Sequence, residues 1–231
     1  MHPNLKRYRN EGFQTIHGWC SDKLFHTIDL LSSLEFNRTG GCLEIGVHQG
    51  KFYLLLNQVI SEDARSWAVD LFDAQDLNID RSGSGSLTTF KANLEKYDVH
   101  RGKNTEIVSG DSTDPALDLE GRIGIGSLRF VSVDGGHTVQ HTVNDLQLAS
   151  RLVSNQGVVI LDDILNHHWL GVIEGAVQYL SGFPTLVPFA IGHNKLYLCK
   201  MSYQPKYFEV MSRSPLFTKA VQFCGHQLAA L

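Results

Sequence analysis

Cysteine is sparse in this chain, and its four copies, Cys20, Cys42, Cys199 and Cys224, lie too far apart to form a CxxC pair. Neither a disulfide framework nor a cysteine zinc site is indicated, and reduced, buried or half-buried thiols are the expectation. Long apolar runs are missing too. Nothing approaches the roughly 20 residues of a membrane span, and the polar start over 1–11 lacks the apolar core of a signal peptide. The expected setting is cytoplasmic, with no membrane partner. No run of lysines or arginines is long enough to track a phosphate backbone, and the net charge is −4, so nucleic acid is not an expected partner.

What is present suits one α/β domain: 231 residues, 42% of them hydrophobic and 19% charged, enough for a sizeable core but not for a second full domain. Short apolar runs alternate with amphipathic stretches, the pattern of parallel strands joined by crossover helices. Strands are expected over 42–45, 66–71, 105–109, 128–133 and 157–161, and helices over 22–35, 51–60, 87–97, 139–152 and 169–180. Ser21 is the expected cap of the first helix, with Leu24, Ile28, Leu31 and Leu34 on its buried face. Near the end, 185–190 and 195–200 flank Gly192-His193-Asn194, which suggests a hairpin and an antiparallel strand added to the sheet. Two stretches resist assignment. The polar, glycine-rich segment 72–86 is a lid, a substrate contact or a plain excursion; the tail 202–231, with an amphipathic segment around 216–228, caps the active site, forms a homo-oligomer contact or packs on the sheet.

The first motif with chemical content is Leu43-Glu44-Ile45-Gly46-Val47-His48-Gln49-Gly50. In a strand-turn-helix unit Gly46 permits a tight turn, and Gly50 removes a side chain where the helix start approaches a ligand. The Gly-x-Gly-x-x-Gly pyrophosphate turn is absent, so a ligand without pyrophosphate, such as S-adenosylmethionine, suits this loop better than NAD. Glu44 would then lie near the amino-acid part of the cofactor, Asp70 near the ribose hydroxyls and Asp111 near the adenine. Any one of these acids alone reads as a solvated strand end or a helix cap. Three of them at the ends of three successive strands, after a glycine turn, point to a nucleoside site.

The second constellation is Val133-Asp134-Gly135-Gly136-His137 with Leu161-Asp162-Asp163-Ile164. On neighbouring strand ends, Asp134, Asp162 and Asp163 would crowd one spot. Such crowding calls for protons or a cation, and an all-oxygen donor set selects a hard cation such as Mg²⁺. In the competing reading Asp163 caps the following turn and Asp134 bonds a backbone amide. His137 follows Asp134 by three residues across two glycines, so its imidazole can turn back over the same pocket as a general base. Of the 11 histidines, His141, His167 and His168 also fall near the site, but surface or helix-start roles suit them better, while His48 faces the cofactor pocket or solvent.

Taken together, these residues resemble a class I S-adenosylmethionine-dependent methyltransferase, and within that class the metal-dependent O-methyltransferases acting on sugar hydroxyls of macrolide and aminocoumarin antibiotics. The resemblance covers roughly 40–200 and is most specific in the two segments just quoted, together with Asn144-Asp145-Leu146. It implies a Rossmann-like seven-stranded sheet of order 3-2-1-4-5-7-6, its last strand antiparallel, with helices on both faces. It implies Mg²⁺ on Asp134, Asp162 and Asp163, with Asp134 also bordering the cofactor, and His137 as catalytic base. The implied reaction is methylation of a hydroxyl on a sugar or another small acceptor with neighbouring hydroxyls. A nicotinamide-dependent oxidoreductase and a non-catalytic binding module are the alternatives.

Overall fold

The computed structural model describes residues 1–182 and 184–231. Among the described residues nine strands form one sheet: β1 (Gly41–Ile45), β2 (Ser66–Asp70), β3 (Thr105–Ser109), β4 (Leu128–Val133), β5 (Val153–Leu161), β6 (Leu186–Gly192), β7 (Lys195–Lys200), β8 (Lys219–Phe223) and β9 (His226–Ala230). The helices are α1 (Pro3–Glu11), α2 (Leu24–Ser32), α3 (Lys51–Asn57), α4 (Leu87–Tyr97), α5 (Leu119–Ile123), α6 (Val139–Leu152), α7 (Leu170–Ser181) and α8 (Gln204–Arg213). The strand order is β3-β2-β1-β4-β5-β7-β6-β9-β8. Its first seven members reproduce the expected order. β1 to β5 run parallel, and β7 lies antiparallel to both β5 and β6.

The expected count of seven is corrected to nine, because the tail supplies a hairpin. Cys224 and Gly225 between β8 and β9 both take positive φ, 49° and 79°, the conformation of a tight two-residue hairpin turn. β9 then pairs parallel with β6 through Ala190–Ala229 and Ile191–Ala230, and Leu228 and Ala229 are fully buried. Of the three roles considered for the tail, packing on the sheet is the one seen, by extension of its edge.

Local sequence accounts for the helix starts. The Ser86 hydroxyl accepts from the Thr89 amide to open α4, and the Thr138 hydroxyl accepts from the His141 amide to open α6. α2 is shorter than expected; Ser21 Oγ accepts from the Lys23 amide in the turn before it, and Leu24, Ile28 and Leu31 are buried. Side chains alternate across the sheet, so two apolar layers form. Phe25, Tyr53, Phe130, Ile160 and Tyr197 belong to the layer under α1 to α4 and α8, and Leu43, Val131, Leu146, Leu161 and Val172 to the layer under α5 to α7. Among the described residues, no helix is long and apolar enough to cross a membrane.

Candidate active site

Parallel strands leave their carboxyl ends on one edge, and here that edge opens into a cavity of about 880 Å³. Glu44, Asp70, Asp111, Asp134, Asp162 and Asp163 all line it, each at or just after the end of a strand. Gly46 closes the first turn at φ 84°. A Cβ there would fall 1.7 Å from the Asp134 carbonyl oxygen, so only glycine lets the β1 and β4 ends converge. Gly50 has a different reason from the expected one. It starts α3 at φ 88°, and its missing Cβ makes room for the Phe90 ring, 2.7 Å away, not for a ligand; it is not part of the cavity wall.

The acids on the β1 to β3 side are held by neighbouring strands and turns. Glu44 is buried and accepts from Ser132 Oγ at 3.0 Å; burial pushes its carboxyl up to about 8, so it is protonated at neutral pH. Asp70 accepts from the His48 and Phe72 amides at 2.7 and 2.5 Å, although burial still raises its pKa. Asp111 is only half-buried, and hydrogen bonds from the Thr113 amide and hydroxyl, both at 2.8 Å, outweigh that burial and hold it below the usual range.

At the β4 and β5 ends the crowding is real, and the chain's own groups offset much of it. Burial, and after it the neighbouring Asp162, drives the Asp134 carboxyl well above the ordinary range. Asp162 Oδ2 is bound by the ammonium of Lys195, the first residue of β7, and its Oδ1 accepts the Asp163 amide at 2.8 Å. Asp163, at φ 58°, accepts from Asn166 and Asn194 at 2.9 and 2.6 Å and faces His137 Nε2 at 3.1 Å. His137 Nδ1 meets Asp80 Oδ2 at 2.7 Å, and the His137 amide donates to that same oxygen at 2.8 Å. Trp169 stacks on the imidazole with centroids 4.5 Å apart and planes 17° from parallel. Burial works against a charged ring, yet Asp163 and Asp80 carry its pKa up to about 9. Asp134, His137 and Asp163 each present one ligand atom, all within 4.8 Å of one another.

A sequence profile of a methyltransferase domain matches residues 43–164, more than half of the chain, spanning both constellations. The chain belongs to this methyltransferase family. Solved structures agree in fold. The O-methyltransferase NovP superposes with a TM-score of 0.62 at 19% identity, over 84% of this chain and 87% of that one. An O-methyltransferase from Bacillus cereus, solved with SAH, gives 0.59 at 15% identity over 86% and 90%. CalS11, a TDP-rhamnose 3'-O-methyltransferase of calicheamicin biosynthesis, gives 0.54 at 16% identity over 77% and 79%. No curated protein sequence matches the chain significantly.

Within this methyltransferase, three side chains of the cluster carry no role in the sequence reading. Asp80 comes from the unassigned 72–86 loop, which lines the cavity from Leu77 to Gly83, and its only sequence signal is the density of acids there. Trp169 reads as a helix start and Lys195 as a strand residue; neither residue type announces a place beside His137 or Asp162. Of the expected set Asp134, Asp162 and Asp163, the first and last converge with His137, while Asp162 lines the same cavity but is bound by Lys195. His141 Nε2 approaches Asp111 Oδ2 at 3.4 Å, and His48, in the cavity wall, packs against Trp19 and His17.

Proposed function

We infer that this methyltransferase uses S-adenosylmethionine and methylates a hydroxyl of a sugar or another small acceptor with neighbouring hydroxyls. One observation carries this reading: a single cavity runs from Glu44, Asp70 and Asp111 to Asp134, His137 and Asp163, so a nucleoside and an acceptor can lie end to end within it. The likeness in fold to O-methyltransferases, one of which acts on TDP-rhamnose, supports an alcohol acceptor.

When bound, S-adenosylmethionine would supply an electrophilic methyl group, and a hard divalent cation would acidify the acceptor hydroxyl. Asp70 and Asp111 present carboxylate oxygens to ribose and adenine, and Glu44 presents its protonated carboxyl to the amino-acid end. Asp134 and Asp163 fit a hard cation, being oxygen donors that converge within 4.8 Å with His137 beside them. Asp162, the third donor expected from sequence, is already bound by Lys195. In the neutral form it adopts as pH rises towards about 9, His137 takes the acceptor proton at Nε2, while Asp80 fixes the ring through Nδ1 and, with Asp163, stabilises the imidazolium so formed. Trp169 covers one face of that ring and keeps water from it.

Mass spectrometry of a hydroxylated-acceptor panel incubated with protein, S-adenosylmethionine and Mg²⁺ tests this directly. A methylated product is expected from the native chain, with His137→Ala slowed by about 10²–10⁴-fold. Asp134→Asn should lose turnover while holding S-adenosylhomocysteine as tightly as the native chain. Parallel loss of cofactor binding in Asp134→Asn would contradict the division of roles.

A further inference from the structure

Leu161 of β5 pairs with Leu196 of β7 in an antiparallel ladder. One step beyond that pair, Asp162 and Lys195 stand opposite each other, and alternation sends both side chains to the same face of the sheet. There the Lys195 ammonium grips Asp162 Oδ2 and sits 4.2 Å above the Phe52 ring centroid. Its side chain is 2% exposed and that of Asp162 11%, yet Lys195 forms part of the cavity wall beside the carboxylate cluster. A lysine sealed this far from water persists only with a counter-charge, and Asp162 provides it. The other Asp162 oxygen accepts the Asp163 amide, so each oxygen of this carboxylate already has a donor from the chain itself.

We propose that Lys195 is a resident cation that withholds Asp162 from any divalent metal, so that of the three carboxylates at the β4 and β5 ends Asp134 and Asp163 alone are available to bind one. The inference rests on the cation-assisted reading given above and specifies it. An ammonium bound to a carboxylate oxygen competes with a metal for that lone pair, and its fixed charge repels a second cation nearby. The native chain therefore holds a hard divalent cation weakly, and Lys195 sets that weakness. Removing the ammonium frees a third carboxylate and deletes the repulsion in one change.

Calorimetric titration with Mn²⁺ at pH 8, on protein saturated with S-adenosylhomocysteine, tests the proposal without any acceptor. Lys195→Met should bind Mn²⁺ at least tenfold more tightly than the native chain, and Lys195→Arg, which keeps the charge, should not. Adding Asp162→Asn to Lys195→Met should cancel the gain, while Asp162→Asn alone should leave the weak native affinity unchanged. Retained S-adenosylhomocysteine binding shows that each variant is folded. Equal Mn²⁺ affinity in Lys195→Met and the native chain would overturn the proposal. Loss of Mn²⁺ binding in Asp162→Asn alone would also overturn it, but would leave the cation-assisted reading standing. An absence of Mn²⁺ binding in every folded variant would sink both, and failure of the native chain to bind S-adenosylhomocysteine would instead strike the methyltransferase reading.

Discussion

Gly46 shows how one missing side chain positions the site. Its amide donates to the Val69 carbonyl at 2.8 Å, the Asp134 amide donates to the Ile45 carbonyl at 2.8 Å, and the Asp134 carbonyl occupies the space a Cβ would need. Gly46→Ala combines that collision with a left-handed backbone, so it should push the β1 and β4 ends apart. The expected result is at least a tenfold loss of S-adenosylhomocysteine affinity by calorimetry, along with a lower melting temperature; native affinity in this variant would contradict the role given to the turn. Asp145 gives a second test at this scale. It is 1% exposed, neither of its oxygens has a hydrogen-bond partner among the described residues, and burial pushes its carboxyl from 3.8 up to about 7. Between those values the folded chain keeps a proton that the unfolded chain has lost, so stability falls as pH rises through that window and levels off above it. Asp145→Asn removes the titration. Its melting temperature relative to the native chain should therefore improve between pH 5 and pH 8, by up to ~3 kcal/mol in stability; a difference that stays constant over this range would contradict the assignment.

At the scale of elements, helices and strands with strong internal patterns were legible from sequence, and those defined by partners were not. Ser86 and Thr138 mark the starts of α4 and α6, and both helices match the expected ranges, 87–97 and 139–152. The hairpin at 219–230 was hidden because its turn is Cys-Gly and its outer strand is almost wholly exposed, leaving no alternation to read. The candidate site divides the same way. Asp134, His137, Asp162 and Asp163 could be picked out because they follow strand ends, whereas Lys195 reaches the cluster through the β5–β7 register, and Asp80 through the course of a long loop, neither of which local sequence encodes. That loop also carries a prediction. Asp80 ties the 72–86 segment to His137 through both its amide and its ring. Asp80→Ala should release it, raising amide hydrogen exchange over 75–85 while α4 stays protected; unchanged exchange there would show that other contacts hold the loop.

For the whole molecule, the sheet brings six acids to one edge, and how they are neutralised divides the cavity. On the β1 to β3 side Glu44 carries a proton and backbone amides hold Asp70, while across the edge Lys195 and His137 balance Asp162 and Asp163. The first half is suited to a nucleoside and the second to an acceptor whose proton must be removed, and a single cavity of about 880 Å³ spans both. The central claim is that the first half binds the methyl-donor cofactor. Calorimetric titration of the folded native chain with S-adenosylhomocysteine, beside Asp70→Ala and Asp134→Asn, tests it most directly. Micromolar binding by the native chain and Asp134→Asn, with at least a tenfold loss in Asp70→Ala, is the predicted result; no binding by the folded native chain would contradict the account.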